Sequence, residues 1–292
     1  MPLKFILDTD IGDDIDDALA LALSLSSPEL ELLGVTTVFR NTPARARMAK
    51  AILQLAGHPD IPVYAGCGQP INNPVDETEI PIQVGPELDN ITYEDGHAVD
   101  FLIRQAKVHG KQLTLCPIGA LTNIALAIRQ DKAMLNIGEI VLMGGSFYRH
   151  CNEWNILCDP EAAHIVFSSG IPIRAIGLDV TTRCVMSDAQ VAQVNASAHP
   201  LQRQLALFIQ RWMAQTHVNP MLHDPLAVTA MWNPAYLTFE PAQVQVETQG
   251  KYTRGTTFSQ GYWGKVQESH TQVACDVRPD AFLEEFMRRV FA

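Results

Sequence analysis

Leu3-Lys4-Phe5-Ile6-Leu7 is an apolar, strand-forming run that stops abruptly at Asp8-Thr9-Asp10-Ile11-Gly12-Asp13-Asp14-Ile15-Asp16-Asp17. Ala18-Leu19-Ala20-Leu21-Ala22-Leu23 follows at once, a run of strong helix formers. A strand, a polar loop and a helix in that order predict the first βα unit of an α/β fold. Glu31 to Val38 reads as a second strand, ending in Phe39-Arg40-Asn41. The segment from Pro43 to Ala56 is amphipathic at helical spacing, and Gly57 stops it. Pro62 to Tyr64 predicts a short strand and His97 to Val108 a helix ended by Gly110.

The alternation continues. Strands are expected at Gln112–Cys116, Glu139–Met143 and Ile171–Ile176, with a helix after Asn123 and another over Ala162–Ser168. Asp159 stands as N-cap of the latter helix, with Pro160 at its first position. Such repetition predicts an open, mostly parallel sheet with helices on both faces. After Thr182 the pattern changes: Asp188 to Trp232 is largely helical, broken at Pro200 and Asn219-Pro220. Strand-like segments return at Val244–Glu247 and Thr271–Cys275, before a last helix over Pro279–Phe291. No linker or tandem repeat interrupts the chain, so one α/β domain over 1–292 is expected, with a helical insertion in its C-terminal half. Between Gly66 and Gly96 periodicity is lost, and a long loop in a compact domain is a candidate lid if it borders a site.

Composition narrows the field. At 292 residues, 47% apolar and 18% charged, the chain can bury a large core. A formal charge of −11 without a basic stripe argues against nucleic acid or an anionic membrane as partner. No apolar run approaches a membrane span, and Asp8 interrupts the N-terminus before a signal-peptide core could form, so a cytoplasmic protein is expected. The six cysteines, at 67, 116, 151, 158, 184 and 275, include no C-x-x-C pair and read as reduced thiols rather than a zinc site.

Chemistry collects first in the acidic loop. Asp8, Asp10, Asp13, Asp14, Asp16 and Asp17 lie within ten positions. Carboxylates so close raise one another's pKa unless a cation joins them, and oxygen-only ligands favour Ca²⁺ or Mg²⁺. The bland alternative, a solvated turn with Asp16 or Asp17 capping the helix, needs fewer acids. Asn41, the group Asn152-Glu153-Trp154-Asn155, and His223-Asp224-Pro225 are further candidates. Each has an ordinary reading: a turn residue for Asn41, a loop with Trp154 filling a core gap, an N-cap for Asp224. Asp179 is left structural. Strand ends of a parallel sheet converge on one edge, however, so these groups can meet the acidic loop. Carboxylates, carboxamides and one histidine suit a neutral, polyhydroxylated ligand such as a sugar. A glycine-rich phosphate loop, a G-x-S-x-G motif and a placed Ser–His pair are all missing.

Taken in order, these motifs resemble the inosine–uridine-type nucleoside hydrolases. The resemblance rests on Leu7-Asp8-Thr9-Asp10-x-Gly12, Val35-Thr36-Thr37-Val38 with Asn41, and Pro117 to Ala125. Val141 to Gly145, Glu153-Trp154-Asn155-Ile156, Asp159 to Ala163, Gly177 to Thr181, His223-Asp224-Pro225 and Val246 to Gly250 extend it along nearly the whole chain. It implies Ca²⁺-dependent hydrolysis of the N-glycosidic bond of ribonucleosides, a place in purine or pyrimidine salvage, and a homodimer or homotetramer. Carried over by position, Asp10 would bind Ca²⁺ and act as general base. Asp17, Asp224 and the Ile118 carbonyl would complete the protein's share of the metal. Asp16, Asn41, Asn152, Glu153 and Asn155 would contact the substrate, and His223 would lie near the leaving base as its acid.

The chain departs from the family pattern in four places, one of them a loop before Glu153 that is shorter than usual and bears on Asn152. Ile11 replaces a proline, two extra residues lie between Gly12 and the final Asp pair, and the His-Gly-Glu-type lid motif is absent, with Tyr93 and Glu94 as candidate replacements. Asp13 and Asp14 have no assigned role. Two alternatives are kept: a Ca²⁺- and ribose-binding protein without hydrolysis, and a Mg²⁺-dependent phosphatase of the haloacid-dehalogenase type, against which Gly12 counts.

Overall fold

The structure, a computed structural model, describes residues 1–149, 151–197, 199–259 and 269–291. Strand β1 (Leu3–Thr9) leads to helix α1 (Asp16–Leu25), and β2 (Leu30–Thr37) to α2 (Thr42–Leu55). β3 (Val63–Ala65) is followed, after a long irregular segment, by α3 (Ala98–His109), β4 (Leu113–Pro117), α4 (Thr122–Gln130) and β5 (Glu139–Met143). Then come α5 (Trp154–Cys158), α6 (Pro160–Phe167), β6 (Ile173–Ile176) and the short α7 (Leu178–Thr181). The expected helical stretch is α8 (Asp188–Asn195), α9 (Pro200–Thr216) and α10 (His223–Trp232). The chain ends through β7 (Leu237–Pro241), β8 (Gln245–Val246), β9 (Thr257–Phe258), β10 (Thr271–Val277) and α11 (Pro279–Val290).

Among the described residues eight strands form one sheet in the order β3-β2-β1-β4-β5-β6-β10-β7, and β8 pairs with β9 apart from it. All neighbours in the large sheet are parallel except β10 and the edge strand β7. The chain winds outward from β1 in one direction and from β4 in the other. The loops after β1 and β4 therefore part company and leave a crevice, the place where open α/β sheets bind ligands. Register brings the strand ends level: Asp8 lies opposite Thr36 of β2 and Pro117 of β4.

Side-chain alternation along β1 feeds two cores. Phe5 and Leu7 pack on the face that carries α1, α9, α10 and α11, while Ile6 packs on the opposite face with α3, α4 and α6. Helix α1 is buried on all sides, and its alanines let it lie close against α10. That contact brings the first turns of α1 and α10 together.

Two segments differ from expectation. β7 is a short, half-exposed edge strand with too little alternation to stand out in sequence, and its Pro241 is tolerated because one side has no partner. The irregular segment between Gly66 and Gly96 has one 3₁₀ turn, Pro86–Leu88, yet it is moored to the acidic loop. Gln83 is buried and its backbone N–H donates to Gly12 O at 3.0 Å, while Arg211 of α9 donates to Gln83 O at 2.8 Å. Glu94, a candidate replacement for the missing lid motif, pairs with Lys50 at 2.7 Å and accepts from the Val63 N–H, and so holds the loop down. Among the described residues no helix is long and apolar enough to cross a membrane, and all six cysteines are free thiols.

Candidate metal and substrate site

The acidic loop is closed from within by Arg45. This arginine, on α2, has no solvent exposure. Its Nε donates to Phe39 O at 2.8 Å, Nη1 to Asp10 O and to Ile11 O at 3.0 Å, and Nη2 to Asp13 Oδ2 at 2.7 Å. Asp13 thus balances a buried guanidinium that grips the backbone carrying Asp10. Asp14 turns back on the chain and accepts from the Ile15 N–H at 2.6 Å. Gly12, at φ +123°, sits so close to Pro81 that a Cβ would lie 2.7 Å from the proline side chain.

Beyond this turn three carboxylates converge. Asp16 and Asp17 open α1 and Asp224 lies in the first turn of α10. One oxygen from each lies within 4.8 Å of the others, and each residue is only 3% exposed. Neither helix uses these acids as caps: Ile15 and Leu222 hold the cap positions without side-chain bonds. Asp16 Oδ2 accepts from the Asp224 N–H at 3.0 Å, and Asp17 accepts from the Thr9 hydroxyl. Burial pushes all three carboxyls well above their ordinary range, and the neighbouring acids push them further. A hard divalent cation with oxygen ligands removes both penalties, so the donor set fits Ca²⁺ or Mg²⁺. The positive ends of two helices also favour the charged form here.

Asp10 faces the same cavity. Burial raises it to about 6, and the Arg45 guanidinium pulls in the opposite direction. Its carboxylate lies against Gly119 after β4, where a Cβ would come within 2.7 Å of Oδ1. Asp8 lies beneath and does not line the cavity; it accepts from the Thr36 hydroxyl and from Asn123 Nδ2 at 2.8 Å, and burial raises it to about 7. The cavity measures about 520 Å³, a size suited to a small molecule. Its far wall comes from α5. Glu153 caps that helix, accepting from the N–H groups of Gly145, Asn155 and Ile156, and burial raises its carboxyl to about 7. Asn155 Nδ2 donates to Ile118 O at 2.8 Å and to Met143 O at 3.2 Å, which leaves its amide oxygen as the atom it can offer to the cavity.

The sequence profile of the inosine-uridine preferring nucleoside hydrolases matches residues 5–284. The chain belongs to this family. It is 34% identical to the inosine-uridine preferring nucleoside hydrolase of Leishmania major, over 97% of this chain and 95% of that one. It is 33% identical to the pyrimidine-specific ribonucleoside hydrolase RihA of Salmonella dublin, over 99% of both. Among solved structures, the purine-preferring ribonucleoside hydrolase of Gardnerella vaginalis superposes with a TM-score of 0.84 at 35% identity, covering 98% of each chain. The relatives are named for different bases, so similarity alone does not choose one for this chain.

With the nucleoside hydrolase frame in place, the expected residues can be located one by one. Asp10, Asp16, Asp17, Ile118, Glu153, Asn155, His223 and Asp224 all line the one cavity. Asp16, expected at the sugar, belongs to the tight carboxylate triple, whereas Asp10 lies outside it. Asn41 does not line the cavity; its side chain caps α2, accepting from the Ala44 N–H at 3.1 Å. Asn152 lies at the edge with both amide atoms engaged, donating to Arg254 O at 3.0 Å and accepting from the Thr256 hydroxyl at 2.9 Å. His223 Nδ1 is 2.7 Å from the Thr181 hydroxyl, and burial pulls the imidazole down to about 4. Trp154 fills no core gap: it is 53% exposed and lines the cavity. Sequence reasoning also missed Arg40 and Trp212 in the cavity wall, and Arg45 behind it. Trp212 reads as core on the apolar face of α9, and a single arginine in a turn carries no periodic signal.

Proposed function

We propose that the protein hydrolyses ribonucleosides to free base and ribose with the help of Ca²⁺. What carries this reading is the meeting of the buried Asp16, Asp17 and Asp224 oxygens with Asp10 in one cavity of a nucleoside hydrolase. Asp10, Asp17, Asp224 and the Ile118 carbonyl would hold the ion, and Asp16 would contact the sugar. Calcium would supply the charge that lets these acids ionise together, and would make water more acidic.

The remaining steps belong to the side chains. Asp10, which lines the cavity and whose ionised form the Arg45 guanidinium favours, is suited to take a proton from the attacking water. The water oxygen bonds to C1′ while the C1′–N bond breaks, its electron pair leaving with the base. Positive charge grows on the ribosyl ring, where carboxylates of the site and the Asn155 amide oxygen stabilise it. The departing base takes up a proton from solvent, and Asp10 returns to solvent the proton it took from the attacking water, so that OH is added at C1′ and H at the base. His223, neutral at pH 7, serves as a hydrogen-bond donor to it rather than as an imidazolium acid, its Nδ1 being held by Thr181.

A panel of ribonucleosides assayed for reducing sugar, with and without chelator, tests the reading. We expect turnover that chelation removes and Ca²⁺ restores, and a fall in kcat on the order of 10²–10⁴-fold in Asp10→Asn. Full activity of Asp10→Asn would refute the mechanism. Calorimetric binding of nucleosides without sugar release would instead establish a binding protein.

A further inference from the structure

Arg40 stands out among the groups that the proposed chemistry leaves unused. Among the described residues it is the one Lys or Arg side chain lining the cavity, facing a wall otherwise rich in carboxylates. Nothing in its local sequence favours that position. Phe39 and Arg40 both adopt left-handed backbone conformations, at φ +67° and +56°, which bulky residues rarely keep without a reason. The turn is clamped in this shape: Phe39 N–H donates to Cys67 O and Arg40 N–H to Gly68 O, both at 2.8 Å, while Arg45 holds Phe39 O. The direction of the Arg40 side chain is therefore built in.

Its guanidinium is only partly satisfied. Nη1 lies 2.7 Å from Glu79 Oε1, on the half-exposed segment after β3. Nε is buried without a hydrogen-bond partner among the described residues and is shut off from the cavity, and the guanidinium carbon lies 5.3 Å from the centroid of the Phe39 ring; among the described residues no hydrogen bond engages Nη2. With Nη1 on Glu79 and Nε buried, Nη2 is the nitrogen this cavity-lining arginine can offer to an acceptor.

Position and charge narrow that acceptor. The carboxylate triple forms the buried floor, whereas Arg40, with a side chain 26% exposed, and Trp154, 53% exposed, stand near the mouth. Trp154 meets the Phe39 ring edge-on, with centroids 6.3 Å apart, so the two belong to one wall. On the ribonucleoside reading, a ribose held by the carboxylates at the floor would leave its base on the side of the mouth, where that wall stands. Seven carboxylates line the cavity, and Arg40 is already paired with Glu79, so a dianionic phosphate is disfavoured there. A neutral oxygen acceptor suits the site.

We propose that Arg40 is a specificity-determining residue that hydrogen-bonds a carbonyl oxygen of the departing nucleobase, and so favours oxo-bases over adenine. The inference rests on the ribonucleoside reading above. The test is kcat/KM for inosine, uridine and adenosine in the wild type and in Arg40→Asn, a residue that tolerates the left-handed turn. Inosine and uridine should lose on the order of 10- to 100-fold, the effect of one charge-assisted hydrogen bond, while adenosine changes less than about threefold. An unchanged inosine-to-adenosine ratio, including an equal loss on all three, overturns the proposal. So does a loss confined to nucleoside 5′-monophosphates, which would place a phosphate against Arg40. Calorimetric affinities of both proteins for inosine and adenosine report the same ratio without turnover. They test Arg40 even where no nucleoside is hydrolysed, an outcome that would count against the reaction and not against this contact.

Discussion

Replacing Arg45 with methionine tests whether the acidic loop is held by an internal cation. The side chain has no exposed surface and donates to three main-chain carbonyls as well as to Asp13. Methionine fills much of the same volume but leaves those carbonyls without their donor and Asp13 without its counter-charge. Breaking a buried charged network in this way costs about 3–5 kcal/mol. At about 2.1 cal/mol/K of unfolding entropy per residue over 292 residues, that is a fall in Tm of roughly 5–8 °C. Asp13→Asn should cost about 1 kcal/mol or less, because the Asp13 side chain is 37% exposed and its charge is screened. Scanning calorimetry separates the two. A second reading is Ca²⁺ affinity by titration calorimetry, expected to fall roughly 10- to 100-fold in Arg45→Met, as for other residues that orient metal ligands. A Tm loss below about 2 °C, or an Asp13→Asn effect as large as that of Arg45→Met, would refute the reasoning.

Three further outcomes are expected. Chelation should lower Tm and Ca²⁺ restore it, by about 2.7 kcal/mol at a hundredfold excess over Kd, and Asp17→Asn should abolish that dependence in a thermal-shift series. Gly119→Ala puts a methyl group 2.7 Å from Asp10 Oδ1, so kcat/KM should drop on the order of 100-fold; unaltered kinetics would show that Asp10 is not held there. Glu285 is held down at about 2 by Arg288 and Arg289, below its ordinary 4.5. Its stabilising contribution, about 1 kcal/mol at most, is therefore full above pH 4.5 and fades as pH falls toward 2. The Tm difference between wild type and Glu285→Gln, followed from pH 6 downward, should shrink in that window.

How much of this was legible in the sequence follows from the range of each interaction. The parallel strands could be read because strands buried on both faces are short apolar runs, and the Asp159 cap because its capping partner, the Ala162 N–H, lies three residues on, although Oδ2 also accepts from the distant Thr122 and Ile71. The edge strand β7 lacks that signal. The membership of Asp16 in the carboxylate triple depends on α1 and α10 lying side by side, a contact spanning some two hundred residues that no local pattern encodes. Asn41 shows the converse. A residue right after a strand end, it is expected in the site from sequence, and in the fold its amide oxygen caps the helix that begins beside it. Arg45 looked like one more polar position of an amphipathic helix, and Glu94 like a replacement for a lost lid motif. Both turned out to be buried or half-buried partners of opposite charge.

The two extra residues of the acidic loop can now be given a physical account. Asp10 is fixed by the end of β1 and by its fit over Gly119, while Asp16 and Asp17 are fixed by the first turn of α1 against α10. Neither anchor depends on the length of chain between them. The added length is taken up outside the carboxylate triple, where Asp13 meets Arg45, Asp14 caps its own turn, and Gln83 holds Gly12. A longer loop therefore need not move the ligands. Its consequence is that the 66–96 segment and the acidic loop become one packed unit, through Pro81 and Gln83. Glu79, two residues before Pro81, pairs with Arg40, so the same unit that closes the acidic loop also holds the one Lys or Arg side chain that lines the cavity among the described residues. On the proposed role of Arg40, substitutions at Pro81 or Gln83 should alter the inosine-to-adenosine ratio as well as stability, whereas substitutions of equal stability cost in α3 should leave that ratio unchanged.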